Sequence, residues 1–375
     1  MGEGTSPKIR VNYLLSNFRS TGGVKVLFQH VKLLRQRGHE ANLLVKDAGG
    51  FDGRYFDFAP ESVDSFSYGD MPSADIIVAT VPKDVREVFR LRKHGVIVCH
   101  LSQGMEVVEI EERISVRVIP PRYRGRRVRY FFKRLSYLNR RRKLNSAYSL
   151  ETVKIAVSRN VKDEIEKRYS PNCYLVPNGA DRSVFYPSGV SRDYGSVVDI
   201  VSVGAYNGTT KGIPYLLEAV RILKDSGRKV RLTRVSYAPE TKEEKESGVV
   251  DRYLMNLTET DMAGLYQNSH ILVAPSLESE GFGLPAIEAM ACGITCVLTE
   301  VPSYLGLGER RDYAVFVPPR YSEGIASAVG RIMDGENLRA GLIRGGLDVA
   351  GKYSLESTGK ILEEVLIDVL KRKGG

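Results

Sequence analysis

The sequence predicts an α/β protein built as two similar halves, each a mainly parallel sheet with helices on both faces. Three observations carry this. Apolar strand-like runs alternate with stretches of helical periodicity, the pattern of strands joined by helical crossovers. The alternation restarts near Asp199, after a segment rich in turn formers. The chain has 375 residues, too many for one ordinary domain at about 150 residues each.

Residues 9–15 read as a buried strand. Gly22 and Gly23 follow, then a helix over about 24–37, with Val24, Leu27, Phe28, Val31 and Leu34 at helical spacing. Gly38 is placed to end it. Segments 43–46, 76–79, 96–99 and 153–157 continue the strand series. The junction falls in 177–196. The second series runs through a strand at 199–204, a helix near 213–224 and strands at 230–234, 271–274, 295–298 and 314–317. The end of the chain, 355–373, reads as one amphipathic helix. The expected organisation is therefore a domain at 1–180, a second at 181–354, and a terminal helix at 355–375 that can cross back to the first half.

Apolar residues make up 42% and charged residues 27%, which excludes a disordered or collagen-like chain. No apolar run approaches about 18 residues, so no transmembrane helix is expected. The start lacks the apolar core of a signal peptide. Its MGEGTS matches a short lipidation pattern through Gly2 and Ser6, against the plainer reading of an ordinary flexible start. Cys99, Cys173, Cys292 and Cys296 are too sparse for a disulfide scaffold. Cys292 and Cys296 form a C-x3-C pair with no second ligand pair, so reduced buried thiols in a cytosolic protein are expected.

The net charge is +10, and between Arg122 and Lys143 the chain holds +11 with no acid, so the remainder carries −1. The basicity belongs to one segment. Within it Val128, Phe131, Phe132, Leu135 and Leu138 recur at helical intervals. Such a helix suits an anionic membrane surface, with Arg126, Arg127, Arg129, Phe131, Phe132, Lys133 and Arg134 as its contacts. Two alternatives stand beside this: an apolar stripe that is core under a solvated basic face, and nucleic-acid binding, which is not expected because no recognisable module surrounds it.

The segment 271–297 contains a strand, a Gly-rich loop and a helix opening near Pro285, which fits a first helical turn. Gly281 and Gly283 let backbone approach a ligand, and the helix N-terminus favours an anion such as phosphate. Glu280 and Glu288 can face one crevice and accept hydrogen bonds from hydroxyls. The alternative is that both merely favour the helix start.

This block resembles the E-x7-E signature of retaining GT-B glycosyltransferases of family 4, with Glu280 and Glu288 as its two glutamates. Other landmarks match in order: LVPNGADRSVFYP in the linker, IVSVGAYNGTTKGIPYLLEAV at the donor loop, and STGGVKVLFQHVKLLRQRGHE near the N-terminus. The likeness runs from about 9 to 330, with no clear match over 51–75 and 106–149.

The resemblance implies a GT-B fold, two Rossmann-like domains facing a central cleft, and a nucleotide-diphosphate sugar as donor substrate with no further cofactor. It implies that Glu288 holds the ribose hydroxyls and Glu280 those of the transferred sugar. Phe282, Gly283 and Leu284 would cradle sugar and diphosphate. Lys211 would neutralise the leaving diphosphate, Gly22 and Gly23 would close over it, and His100 would stand near the reacting face of the sugar. Each has a structural alternative: a solvated loop lysine, a plain helix start, a hydrogen-bonded core histidine. Where the family usually has Arg after the strand's Gly, this chain has Ala205 after Gly204; Arg234, Arg19, Asn207, Thr209 and Thr210 are the candidates to compensate. No Asp-x-Asp motif occurs, in line with a family that works without a catalytic metal. The expected activity is transfer of a sugar to a glycan or lipid-linked hydroxyl acceptor, with retention, at the cytoplasmic membrane face. The alternatives are a sugar-phosphate synthase, a nucleotide-sugar epimerase, or a nonenzymatic anion- or nucleic-acid-binding protein that keeps the fold.

Overall fold

The structure, a computed structural model, describes residues 8–16, 22–47, 49, 53, 58–67, 69–115, 127–189, 192–206 and 210–374; at 115, 127–131 and 373–374 it describes the backbone alone. The first half contains β1 (Arg10–Leu15), α1 (Gly22–Gln36), β2 (Glu40–Val45), β3 (Glu61–Ser62), β4 (Ile76–Ala79), α2 (Pro82–Leu91), β5 (Ile97–Ser102), α3 (Glu106–Ser115), α4 (Arg127–Tyr148), β6 (Val153–Ala156), α5 (Arg159–Arg168) and β7 (Cys173–Leu175). The second contains β8 (Val198–Val203), α6 (Ile213–Asp225), β9 (Val230–Ser236), α7 (Lys242–Ser247), β10 (Val250–Met255), α8 (Glu259–Gln267), β11 (Ile271–Ala274), α9 (Leu284–Ala291), β12 (Thr295–Thr299), α10 (Pro302–Leu305), β13 (Val315–Val317), α11 (Ser322–Asp334), α12 (Glu336–Lys352) and α13 (Leu355–Gly374).

The sheets have strand orders β3-β2-β1-β4-β5-β6-β7 and β10-β9-β8-β11-β12-β13. The paired neighbours in both run parallel. Both orders reverse direction once, beside β1 in the first sheet and beside β8 in the second. Open α/β sheets bind ligands at that reversal, outside the carboxyl ends of the strands. The expected pair of doubly wound α/β domains is what the chain forms.

The local reasons follow the sequence. Strand β1 is buried from Val11 to Leu15, and α1 packs Leu27, Val31 and Leu34 against it. Helix α1 stops at Gly38, where the amides of Gly38 and His39 bond to the carbonyls of Arg35 and Leu34, both at 3.0 Å, a Schellman ending. Strand β5 runs three residues beyond the expected end, because His100, Leu101 and Ser102 pair with β6. The polar side chains of His100 and Ser102 disguise a strand that is covered on both faces.

The chain crosses between the domains twice at one place. Ala180 donates to Tyr353 O at 2.9 Å, and Leu355 donates back to Ala180 O at 3.2 Å. Helix α13 then lies on the first domain. Glu363 accepts from Arg37 at 3.0 Å and pairs with His39 at 2.9 Å, and Leu362, Leu366 and Val369 join the apolar cluster of α1. That same cluster extends through Phe185 and Tyr266 to α9, so the two domains share packed surface. All four cysteines are buried and unpaired.

Among the described residues helix α4 is anchored from its middle onward, where half-buried Tyr137 accepts from Arg113 at 3.1 Å. Leu144, Ala147 and Tyr148 are buried, and Tyr148 OH lies 2.9 Å from Ser102 Oγ. Residues 132–136 are exposed in succession, with Phe132 at 64% and Leu135 at 43%. Those two positions are therefore not core. Among the described residues no helix is long and apolar enough to cross a membrane.

Candidate functional site

A cavity of about 760 Å³ lies between the domains. Its wall comes from the carboxyl ends of the strands: Gly22 and Gly23 after β1, Gln103 after β5, Gly204 and Ala205 after β8, Ser236 and Tyr237 at the end of β9, and Glu280 to Glu288 after β11. The size suits a nucleotide-scale ligand, since pockets for such molecules run about 300–1,000 Å³.

Helix α9 opens with Gly283 at φ 97°, a left-handed conformation that glycine adopts without strain. A Cβ there would stand 2.4 Å from the Tyr304 ring. Pro285 occupies the first turn, and the N-terminal amides of α9 face the cavity with no side-chain cap. Phe282 is buried and sets its ring edge-on to Tyr353, 5.4 Å between centroids.

Two buried carboxylates enter this cavity, each carrying a lysine. Glu280 Oε2 accepts from Lys211 Nζ and from Ser276 Oγ, each at 2.7 Å. Ser276 is in turn 2.8 Å from Tyr304 OH. Burial pushes the Glu280 carboxyl up, but the Lys211 charge, the hydrogen bonds from Lys211 and Ser276, and the Gly281 amide outweigh it, so its pKa lies below the usual value. Glu280 is thus ionised and serves as an acceptor.

Glu288 Oε1 is 2.7 Å from Lys25 Nζ, and Tyr266 OH reaches its other oxygen at 3.5 Å. Here burial dominates over Lys25, and the Glu288 pKa is raised. Lys25 also lies 2.6 Å from Glu259 of α8. Burial works against its charge, yet Glu288 and Glu259 together hold its pKa above the ordinary value.

The first domain closes directly on the Gly-rich loop. Ser158 Oγ donates to Gly281 O at 2.6 Å. A Cβ on Gly281 would stand 2.2 Å from Gln103 O. Gln103 Nε2 donates to Gly23 O at 3.1 Å.

The cavity brings together Gly22, Gly23, Lys211, Glu280, Phe282, Gly283, Leu284 and Glu288. Gly22 and Gly23 both start α1 and line the cavity. His100 is a correction. It is fully buried within β5, does not line the cavity, and packs against the Tyr148 ring, 4.3 Å between centroids and tilted by 34°. Neither ring nitrogen has a hydrogen-bond partner. Because β5 runs on to Ser102, the residue it delivers to the cavity is Gln103.

Arg234 does not compensate for Ala205. It is buried, and its donors go to Glu244 at 3.2 Å, to Ser202 O at 2.8 Å and to Gly204 O. Arg19, Asn207, Thr209 and the N-terminal lipidation pattern lie outside the described residues, as does Arg126. The side chains of Arg127, Arg129 and Phe131 also lie outside them, while Phe132, Lys133 and Arg134 are exposed on α4, away from the cavity. Sequence reading missed Lys25, Gln103, Ser158 and Glu259. Their signals were a first-turn lysine two residues after Gly23, and polar residues trailing a strand.

Residues 198–335 match the family described as Glycosyl transferases group 1. The phosphatidyl-myo-inositol mannosyltransferase of Mycolicibacterium smegmatis is 27% identical over 174 residues, which are 45% of this chain and 45% of that protein. The match thus spans less than half of the relative. The sucrose-phosphate synthase of Thermosynechococcus elongatus superposes with a TM-score of 0.73 at 14% identity, over 97% of this chain and 100% of that one. Anabaena Alr3699/HepE, solved with UDP-glucose, superposes with a TM-score of 0.66 at 14% identity, over 96% and 99%. Residues 198–335 thus resemble the group 1 glycosyl transferases in sequence, and the chain as a whole shares the two-domain GT-B fold of the solved structures.

Proposed function

We propose that the protein transfers a sugar, with retention, from a nucleotide-diphosphate sugar to a hydroxyl acceptor held at the cytoplasmic face of an anionic membrane. The observation that carries the donor reading is the convergence in one cavity of the α9 N-terminus, the Lys211–Glu280 pair and Glu288.

Breaking the bond between anomeric carbon and phosphate leaves positive charge on the sugar and negative charge on the diphosphate. Preorganised donors aimed at developing charge lower that barrier without reorganising. Lys211 and the free amides at Gly283 and Leu284 supply them on the diphosphate side. Glu280, ionised and fixed by Ser276, accepts from sugar hydroxyls and sets the pose. Glu288 accepts from the ribose. The acceptor hydroxyl enters from the first domain and attacks on the face the diphosphate leaves, its proton passing to the departing diphosphate oxygen, which retains the anomeric configuration.

The acceptor is lipid-linked or otherwise membrane-borne in this reading. Helix α4 offers exposed Phe132 and Leu135 among Lys133, Arg134, Arg140 and Arg142, and a relative acts on phosphatidyl-myo-inositol, by its name. Calorimetric titration with UDP, GDP and TDP, in the wild type and in Lys211→Ala, tests the donor site. Binding of one diphosphate, weakened by the substitution, supports it. If the wild type binds none of the three, the donor reading is wrong and the fold serves another purpose.

A further inference from the structure

We propose that Lys25, contributed by the first domain, is the second cation of the donor diphosphate and moves onto it from Glu288. The inference rests on the donor reading above and goes beyond it, since that reading assigns the diphosphate only one lysine.

The argument starts from charge. Among the described residues, three lysines and four carboxylates line the cavity. A nucleotide diphosphate adds at least two negative charges. Lys211 is already shared with Glu280. Ala205 brings no charge, and Arg234 is spent inside the domain. Lys32 lies seven residues beyond Lys25 on α1, about 10 Å further from the helix start. Among the described residues, Lys25 is the cation left near the reacting end.

Its placement is otherwise costly. Helix N-termini favour acids in the first turn, yet the first turn of α1 holds no acid and carries Lys25 beside Gly22 and Gly23. In the structure that positive charge is balanced by two carboxylates from the other domain, Glu259 at 2.6 Å and Glu288 at 2.7 Å. One of these is the carboxylate that the ribose requires.

An ammonium has three N–H donors, and two are accounted for. When ribose hydroxyls take Glu288, Lys25 can keep Glu259 and turn its remaining donors to a diphosphate oxygen. No proton moves; one ion pair replaces another. The exchange ties donor binding to domain closure, because Lys25 sits on one domain while Glu259 and Glu288 sit on the other.

The test compares uridine with UDP and guanosine with GDP, by calorimetry, in the wild type, Lys25→Gln, Lys25→Met and Lys211→Ala. Gln keeps hydrogen bonds to both carboxylates; Met keeps the length of the side chain, so at least one variant should retain the fold. The readout is the ratio of diphosphate affinity to nucleoside affinity. Loss of a charge-assisted hydrogen bond predicts that this ratio drops about tenfold or more in the Lys25 variants, with nucleoside binding equal to or tighter than the wild type. A drop of less than about fivefold, or a rise, overturns the proposal. If Lys211→Ala weakens the diphosphate while the Lys25 ratio holds, the donor site stands and this inference alone fails. If the wild type binds none of the four probes, the donor reading itself has failed.

Discussion

Lys211 and Glu280 are 69 residues apart in sequence and hold one another at 2.7 Å, Nζ to Oε2. The pair joins the loop after β8 to the loop after β11, the two strands that flank the reversal of strand order in the second sheet. It therefore lies in the crevice where open α/β sheets bind ligands and holds a buried carboxylate there in its charged form.

The pair makes acid sensitivity depend on Lys211. The Glu280 pKa lies below its ordinary 4.5 in the folded protein, so Glu280 adds stability that is present above about pH 4.5 and is lost as pH falls through the lowered value. In Lys211→Ala burial is opposed by Ser276 and Gly281 alone, and the Glu280 pKa rises. The expected outcome is that the acid limb of diphosphate binding moves to higher pH in Lys211→Ala, and that affinity at neutral pH drops about 10- to 100-fold. Calorimetry across pH 4 to 8 measures both. An unmoved acid limb would mean that Lys211 does not set the charge of Glu280.

Gly281 tests domain closure. Its missing side chain leaves room for Gln103 O, which a Cβ would approach to 2.2 Å. Gly281→Ala should hold the domains apart without unfolding either, seen as a larger radius of gyration in solution scattering and as turnover reduced at least about tenfold through misplacement of the acceptor side. Gly283→Ala acts differently, because its φ of 97° and the Tyr304 ring at 2.4 Å lie within one domain. It should cost about 2–5 kcal/mol of stability from left-handed strain plus overpacking.

His100 carries a pH dependence unrelated to the cavity. Burial pulls its pKa down to about 3, with the Lys154 charge adding to the effect. The folded state thus binds the proton later than the unfolded chain does. Stability is retained above the unfolded value near 6.5 and is lost as pH falls from there toward about 3. At pH 5 this group costs about 2 kcal/mol. His100→Leu, which also removes two unpartnered ring nitrogens, should flatten the decline between pH 6.5 and 5 in thermal unfolding. A decline equally steep in the variant would place the acid sensitivity elsewhere.

The second domain was more legible than the first. Strand 271–274, the loop around Gly281 and Gly283, and Glu280 with Glu288 lie within 18 residues, so spacing alone could bring them together. Lys25 and Glu288 are 263 residues apart, and no local pattern links them. The partnership depends on how α1 of one domain meets α8 and α9 of the other. His100 was misplaced for a related reason. A polar residue inside a strand buried on both faces looks, in sequence, like the end of that strand. Register with β6 decides it, and register is a tertiary fact.

If helix α4 is the membrane contact proposed above, attachment and donor chemistry are separable. Phe132 and Leu135 are 64% and 43% exposed, and Lys133 and Arg134 stand beside them, while the buried anchor of the helix begins at Leu144. Substitutions at the exposed end should therefore leave folding and diphosphate affinity unchanged. Each basic residue near an anionic surface contributes about 1 kcal/mol, so the double variant Lys133→Ala/Arg134→Ala should weaken binding to anionic vesicles about 30-fold. Phe132→Ser removes an apolar contact worth about 1.5–3 kcal/mol if the ring enters the interface, and its effect should survive high salt, which abolishes the basic contribution. Flotation with phosphatidylglycerol vesicles, against neutral phosphatidylcholine ones, reads both. Equal retention of wild type and variants would show that this surface does not meet the membrane. Loss by the basic pair alone would show that the helix rests on the headgroups without inserting Phe132.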